Sequence, residues 1–129
     1  MTYSVTFKTQ FAVEFANYPA KQQTAVLTFA QTFQQHGLAD FTLYDGKITP
    51  SWSGLNPGDA DYAYTYGNDL WHYHLGIPYY KQVHGKYKTS DVVLHFQWAN
   101  RGKHIALVDV YDHYRADGTF YLPPASYLS

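Results

Sequence analysis

Between residues 70 and 111 the chain alternates. Leu70, His72 and His74 interleave with Trp71, Tyr73 and Leu75, and two further alternating stretches follow at residues 92–98 and 105–111. A period of two puts successive side chains on opposite faces, which is the repeat of a strand and not of a helix. The last two stretches are joined by Ala99-Asn100-Arg101-Gly102-Lys103, a segment of hairpin length. Three strands this close in sequence have little choice but to pair antiparallel.

The elements before them are of another kind. Tyr3, Val5 and Phe7 alternate with Ser4, Thr6 and Lys8, giving an opening strand. Phe11 and Phe15, four apart, suit a short helical turn. Residues 19–36 read as a helix. Pro19 fits a first helical position, where its missing N–H costs nothing, Val26, Phe29, Ala30 and Phe33 recur at three and four, and Gly37 can terminate it. Residues 41–67 are less regular, with Asp45-Gly46 a candidate hairpin turn and residues 56–59 a loop. Residues 78–88 read as a loop rich in Lys, His and Tyr. Strand, helix, then an antiparallel meander is an α+β order.

A chain of 129 residues, 46% of them hydrophobic, can bury one core, and a single domain over residues 1–129 is expected. There is no cysteine, so disulfides, thiolate metal sites and a cysteine nucleophile are excluded. The N-terminus lacks the basic and apolar pattern of a signal peptide, and no run approaches the length of a membrane span, so a cytoplasmic protein without a membrane partner is expected. The net charge of −1 argues against a strong polyanion binder, but it is unevenly spread. Residues 1–70 carry three Lys/Arg against six acids, residues 71–129 six against four, and six of the seven histidines lie in the second part. A local cationic face is what a polyanion would require.

His72 and His74, two apart on a strand, share a face. Histidine suits general acid–base work near neutral pH, and Lys and Arg suit stabilisation of phosphorane oxygens. His113, Tyr114 and Arg115 follow the last strand, where strand exits carry active groups; they are candidates for acid or base, base stacking and phosphate contact. A metal site is the rival for His-x-His on a strand, with a third ligand from His95, His113 or Asp109. An exposed polar strand face is the plain alternative. Lys81, His84, Lys86 and Lys88, with Tyr79, Tyr80 and Tyr87, mix cations with rings in the manner of single-stranded RNA contacts, as ordinary surface loops also do; Arg101 joins this candidate RNA-binding set. Trp71, Trp98, Phe29 and Phe33 read as core, His36 as a helix-end residue, and His95 and His104 as cross-strand partners. Asp109 orients a histidine or faces water. Ser51-Trp52-Ser53-Gly54 lacks the strand–elbow–helix setting of a serine hydrolase.

Three segments, Leu70-Trp71-His72-Tyr73-His74-Leu75, Thr89-Ser90-Asp91-Val92-Val93-Leu94-His95-Phe96 and Ile105-Ala106-Leu107-Val108-Asp109-Val110-Tyr111-Asp112-His113, resemble in order and spacing the YafO-like toxins of type II toxin–antitoxin systems, and more broadly the RelE/ParE-type superfamily. The resemblance covers roughly residues 70–115. It implies a RelE-like fold, with an N-terminal strand and helix packed on a curved antiparallel sheet, and a small endoribonuclease that cuts messenger RNA, usually on the ribosome, with no metal and no cofactor, neutralised by a cognate antitoxin protein. On that reading His72, His74, His113, Tyr114 and Arg115 are catalytic, and Lys81, Lys86, Lys88, Tyr87 and Arg101 bind RNA. Where many RelE-type ribonucleases carry an Arg entering the penultimate strand, this chain has Asp91-Val92. A ParE-like toxin that binds a protein target, and a small His-rich module for a metal or ligand, are the alternatives.

Overall fold

A computed structural model describes residues 2–84 and 87–129, and for 82–84 and 87–88 the backbone alone. Strand β1 (Ser4–Phe7) leads into helices α1 (Thr9–Phe15) and α2 (Ala20–His36). Then come β2 (Ile48–Pro50), α3 (Ala60–Gly67), β3 (Leu70–His74), β4 (Lys81–His84), β5 (Tyr87–Thr89), β6 (Val92–Gln97) and β7 (His104–Asp112). The class is α+β, with three α-helices among the described residues and a five-stranded sheet in the order β1-β7-β6-β3-β2. None of the described helices is long and apolar enough to cross a membrane.

The alternation in the sequence builds the core directly. Trp71, Tyr73 and Leu75, then Val92, Leu94, Phe96 and Trp98, then Ile105, Leu107 and Val110 form one apolar face, and Val26, Phe29 and Phe33 of α2 pack onto it. Phe29 is the central contact, stacked on Tyr73 with ring centroids 4.6 Å apart and tilted against Phe96 at 5.3 Å. Truncating such a buried ring to alanine typically costs about 3–5 kcal/mol. Pro19 caps the start of α2 and Gly37, at φ 68°, ends it in a conformation that side chains resist.

Several expectations change. The sheet is mixed rather than antiparallel throughout, because β1 returns to pair with β7 in parallel. The segment expected as a loop at 78–88 holds β4 and most of β5, which pair antiparallel in a sheet of their own. The irregular stretch 41–67 contains β2 and α3. Asp45-Gly46 turns no hairpin; it follows a 3-10 turn and leads into β2. A Cβ on Gly46 would lie 1.9 Å from the backbone oxygen of His74, so only glycine admits this approach. His95 pairs with His72 and Asp109, not with His104, which lies opposite Ser4 on β1 and hydrogen-bonds its hydroxyl at 2.8 Å.

Phe96 pairs with Leu107 and His95 with Asp109, so Val108 is an extra residue, a β-bulge in β7.

Candidate functional site

The sheet face opposite the core is unusually polar for one so well covered. Two rows cross it. Thr49, His72, His95 and Asp109 face one another across β2, β3, β6 and β7, and the next row runs through His74, Val93 and Tyr111. The His74 N–H donates to the Lys47 carbonyl at 3.1 Å, which sets Lys47 beside His74 at the sheet edge. Beyond β7, His113 is held by its N–H to the Asp91 carbonyl at 2.7 Å. The chain then folds back across the face, where Phe120 packs against His72, His95 and His113 at 5.1, 6.1 and 4.8 Å between centroids. The Tyr121 hydroxyl donates to Asp109 at 2.5 Å, and Tyr127 to Glu14 at 2.5 Å, tying this last segment down.

His72, His74 and His113 converge. One ring nitrogen of each lies within 4.8 Å of the others, and the His113 ring stacks on His74 with centroids 5.1 Å apart. Each strand histidine is fixed from behind. His72 Nδ1 hydrogen-bonds Ser51 Oγ at 3.0 Å. His74 Nδ1 lies 2.8 Å from the Ser90 carbonyl and 2.9 Å from the Ser90 N–H, bonds that belong to alternative tautomers. With Nδ1–H donating to the carbonyl, Nε2 on the far side of the ring carries the lone pair. His113 Nδ1 is buried without a hydrogen-bond partner.

Electrostatics keep these rings neutral. Desolvation holds His72 well below the ordinary imidazole range, helped by repulsion from His95, His113, His74 and Lys47. His74 is lowered by burial against the opposing bond to Ser90, with Lys47 adding to the fall. His113 is lowered to about 4, by burial first and then by His74 and Lys47. Behind them His95 is wholly enclosed, both ring nitrogens are unpartnered, and burial lowers it to about 3. Asp109 neither faces water nor touches a histidine through a hydrogen bond. It accepts from Tyr121 and is raised by burial to about 6.

The three histidines open onto a cleft of about 790 Å³ whose walls include Lys47, Thr49, Ser51, Ser53, Lys81, Asp91, Asp112 and Tyr114. Of the residues singled out in the sequence, His72, His74, His113, Tyr114 and Lys81 therefore come together. Lys81 makes an exposed ion pair with Asp91 at 3.4 Å at the rim. Arg115 does not line the cleft; its guanidinium lies 6.0 Å from the Tyr121 ring centre. Arg101 lies over Trp71 and Trp98, residues of the opposite, core-facing side. Lys86 lies outside the described residues, as do the side chains of His84, Tyr87 and Lys88. Lys47, Thr49 and Ser51 also line the cleft, although the sequence does not single them out for it. They sit at and beside β2, too short a strand for its alternation to register, yet Lys47-x-Thr49-x-Ser51 is itself a period of two. Compared with protein-family models, with curated proteins and with solved structures, the chain matches none.

Proposed function

We propose that His72, His74 and His113 form a divalent transition-metal centre of zinc type, open to the cleft and of the catalytic rather than the structural kind. The observation that carries this reading is the convergence of three neutral imidazoles, two of them anchored through Nδ1, on one point. A metal ligand must offer a lone pair, and a bond on its other ring nitrogen is what fixes tautomer and aim. Tetrahedral zinc with nitrogen ligands at about 2.0–2.1 Å needs donors only ~3.4 Å apart. The rings must therefore close in from their present spread of up to 4.8 Å, and His113, beyond the end of β7, is the one least tied to the sheet. Three protein ligands leave a fourth position facing the cleft. A bound metal there lowers the pKa of its water and polarises a substrate oxygen.

The same environment suits metal-free acid–base catalysis less well. A general acid at neutral pH needs an imidazole that keeps its proton, and these three are pushed the other way by burial and by one another. No carboxylate bonds any of them to restore it among the described residues.

The test is a zinc titration of protein purified without a His tag. One equivalent is expected, lost in His72→Ala, His74→Ala and His113→Ala variants that retain their circular dichroism. A wild-type protein that binds no stoichiometric zinc, nickel or cobalt refutes the centre.

A second reading keeps the RelE-like fold and the toxin endoribonuclease that the three segments resemble. It is favoured by Lys47, Lys81 and Tyr114 lining the same cleft as the histidines, a mixture suited to an RNA backbone and a stacked base. On this reading, expression without an antitoxin arrests growth and depletes intact messenger RNA. Arrest with RNA intact would instead favour a ParE-like protein target, and healthy growth in bacterial hosts would count against both toxin readings.

A further inference from the structure

The geometry points to a phosphoryl group as the part of the substrate that binds beside the metal, held by Lys47 and Thr49; this rests on the metal centre proposed above. Thr49 lies on the strand next to the two strand histidines, and Lys47 is the residue just before that strand begins. Thr49 pairs with His72, and the Lys47 carbonyl takes the His74 N–H. Residues directly opposite in an antiparallel pair have Cβ atoms roughly 4.5–5.5 Å apart on the same face. The Thr49 hydroxyl is therefore carried within a side chain's reach of the three-histidine point, and the Lys47 ammonium lines the same cleft. Ser53, two residues past Ser51, adds a second hydroxyl to that wall.

Charge decides the sign of the ligand. The cleft walls hold Lys47 and Lys81 against Asp91 and Asp112, and Lys81 is already paired with Asp91. Two cations and two anions cancel, and the histidines are neutral, so a divalent ion leaves the cleft positive by about two charges. A cation is repelled there and an anion is drawn in. Among anions, a carboxylate has two oxygens to offer. A phosphoryl group has three and can meet the metal, Lys47 and a hydroxyl at once. The cleft, at about 790 Å³, has room for the organic part of such an ester.

The experiment is calorimetric. Zinc-loaded protein is titrated with phenyl phosphate and, separately, with benzoate, which carries the same ring on a carboxylate. Binding of phenyl phosphate at least tenfold tighter than benzoate is expected. Lys47→Ala should weaken it roughly tenfold or more, the scale of one lost charge-assisted hydrogen bond, with zinc affinity preserved. Thr49→Val should weaken it less. Zinc-loaded wild type that ignores phenyl phosphate, that binds benzoate equally well, or that is indifferent to Lys47→Ala overturns the phosphoryl subsite and leaves the metal centre standing. Failure of the metal centre appears earlier and separately, as absence of the zinc isotherm itself.

Discussion

Acid should loosen this protein through histidines it never exposes, and His95 isolates the effect. Its ring is fully enclosed, both nitrogens lack partners, and burial lowers it to about 3 from an ordinary 6.5. The unfolded chain takes up the proton near pH 6.5 while the folded one refuses it until about pH 3. The stability tied to keeping His95 neutral is therefore complete above pH 6.5 and lost as pH falls from there toward 3. At pH 5 the unfolded imidazole is already charged and the folded one is not. The linkage is one and a half pH units, or about 2 kcal/mol, a large share of a typical ~5–15 kcal/mol total. Leucine is close to histidine in volume, has no proton to gain and needs no hydrogen bond. His95→Leu should be neutral or up to about 1 kcal/mol more stable at pH 8, since it removes two unsatisfied nitrogens. At pH 5 it should lead wild type by a further ~2 kcal/mol. Urea unfolding of both proteins at the two pH values measures this. His72, His74 and His113 are present in both, so their own acid sensitivity largely cancels in the comparison. Equal loss of stability on acidification in the two proteins would refute the reasoning, as would a variant much weaker at pH 8.

Two further outcomes follow from single positions. Asp109 is raised to about 6 from 3.8, so its stability term is present below pH 3.8 and lost as pH rises through 6. Asp109→Asn keeps an acceptor for Tyr121 and should raise the urea midpoint at pH 8, by up to about 3 kcal/mol in stability, with no gain at pH 4; an equal shift at both pH values would sink the argument. Gly46→Ala forces a methyl into the His74 carbonyl, so it should lower the melting temperature and weaken zinc binding together, and an unchanged melting curve would show that the strands yield freely.

What could be read from the sequence is what repeats. The alternations on β3, β6 and β7 and the three-four spacing on α2 each span several residues, so burial imposes a visible pattern on them. The same period puts His72 and His74 on one face. The pieces that escaped are short or bent. β2 is three residues long and ends in Pro50, acceptable because it is a sheet edge. Thr49 within it and Lys47 just before it draw the site into the first half of the chain, away from the histidine-rich half that composition favours. The parallel return of β1 to β7 leaves no local mark, since a strand's partner lies in tertiary structure. As cations near the site in sequence, Arg115 and Arg101 read as part of it, but the turns at the two ends of β7 carry them elsewhere.

The bulge at Val108 has a consequence for how such a site could be gained or lost. Along β7, Ile105 and Leu107 look toward the helices. Carried on without interruption, the same phase would send Asp109, Tyr111 and His113 to that side too, into the apolar layer. One supernumerary residue shifts the count by one, and everything beyond it changes side. His113 reaches the other two imidazoles because of that odd residue. A single-codon deletion at Val108 would leave every histidine in the chain and still part the third from its companions. A single-codon insertion at the same place in an uninterrupted strand is, by the same arithmetic, enough to bring three histidines together.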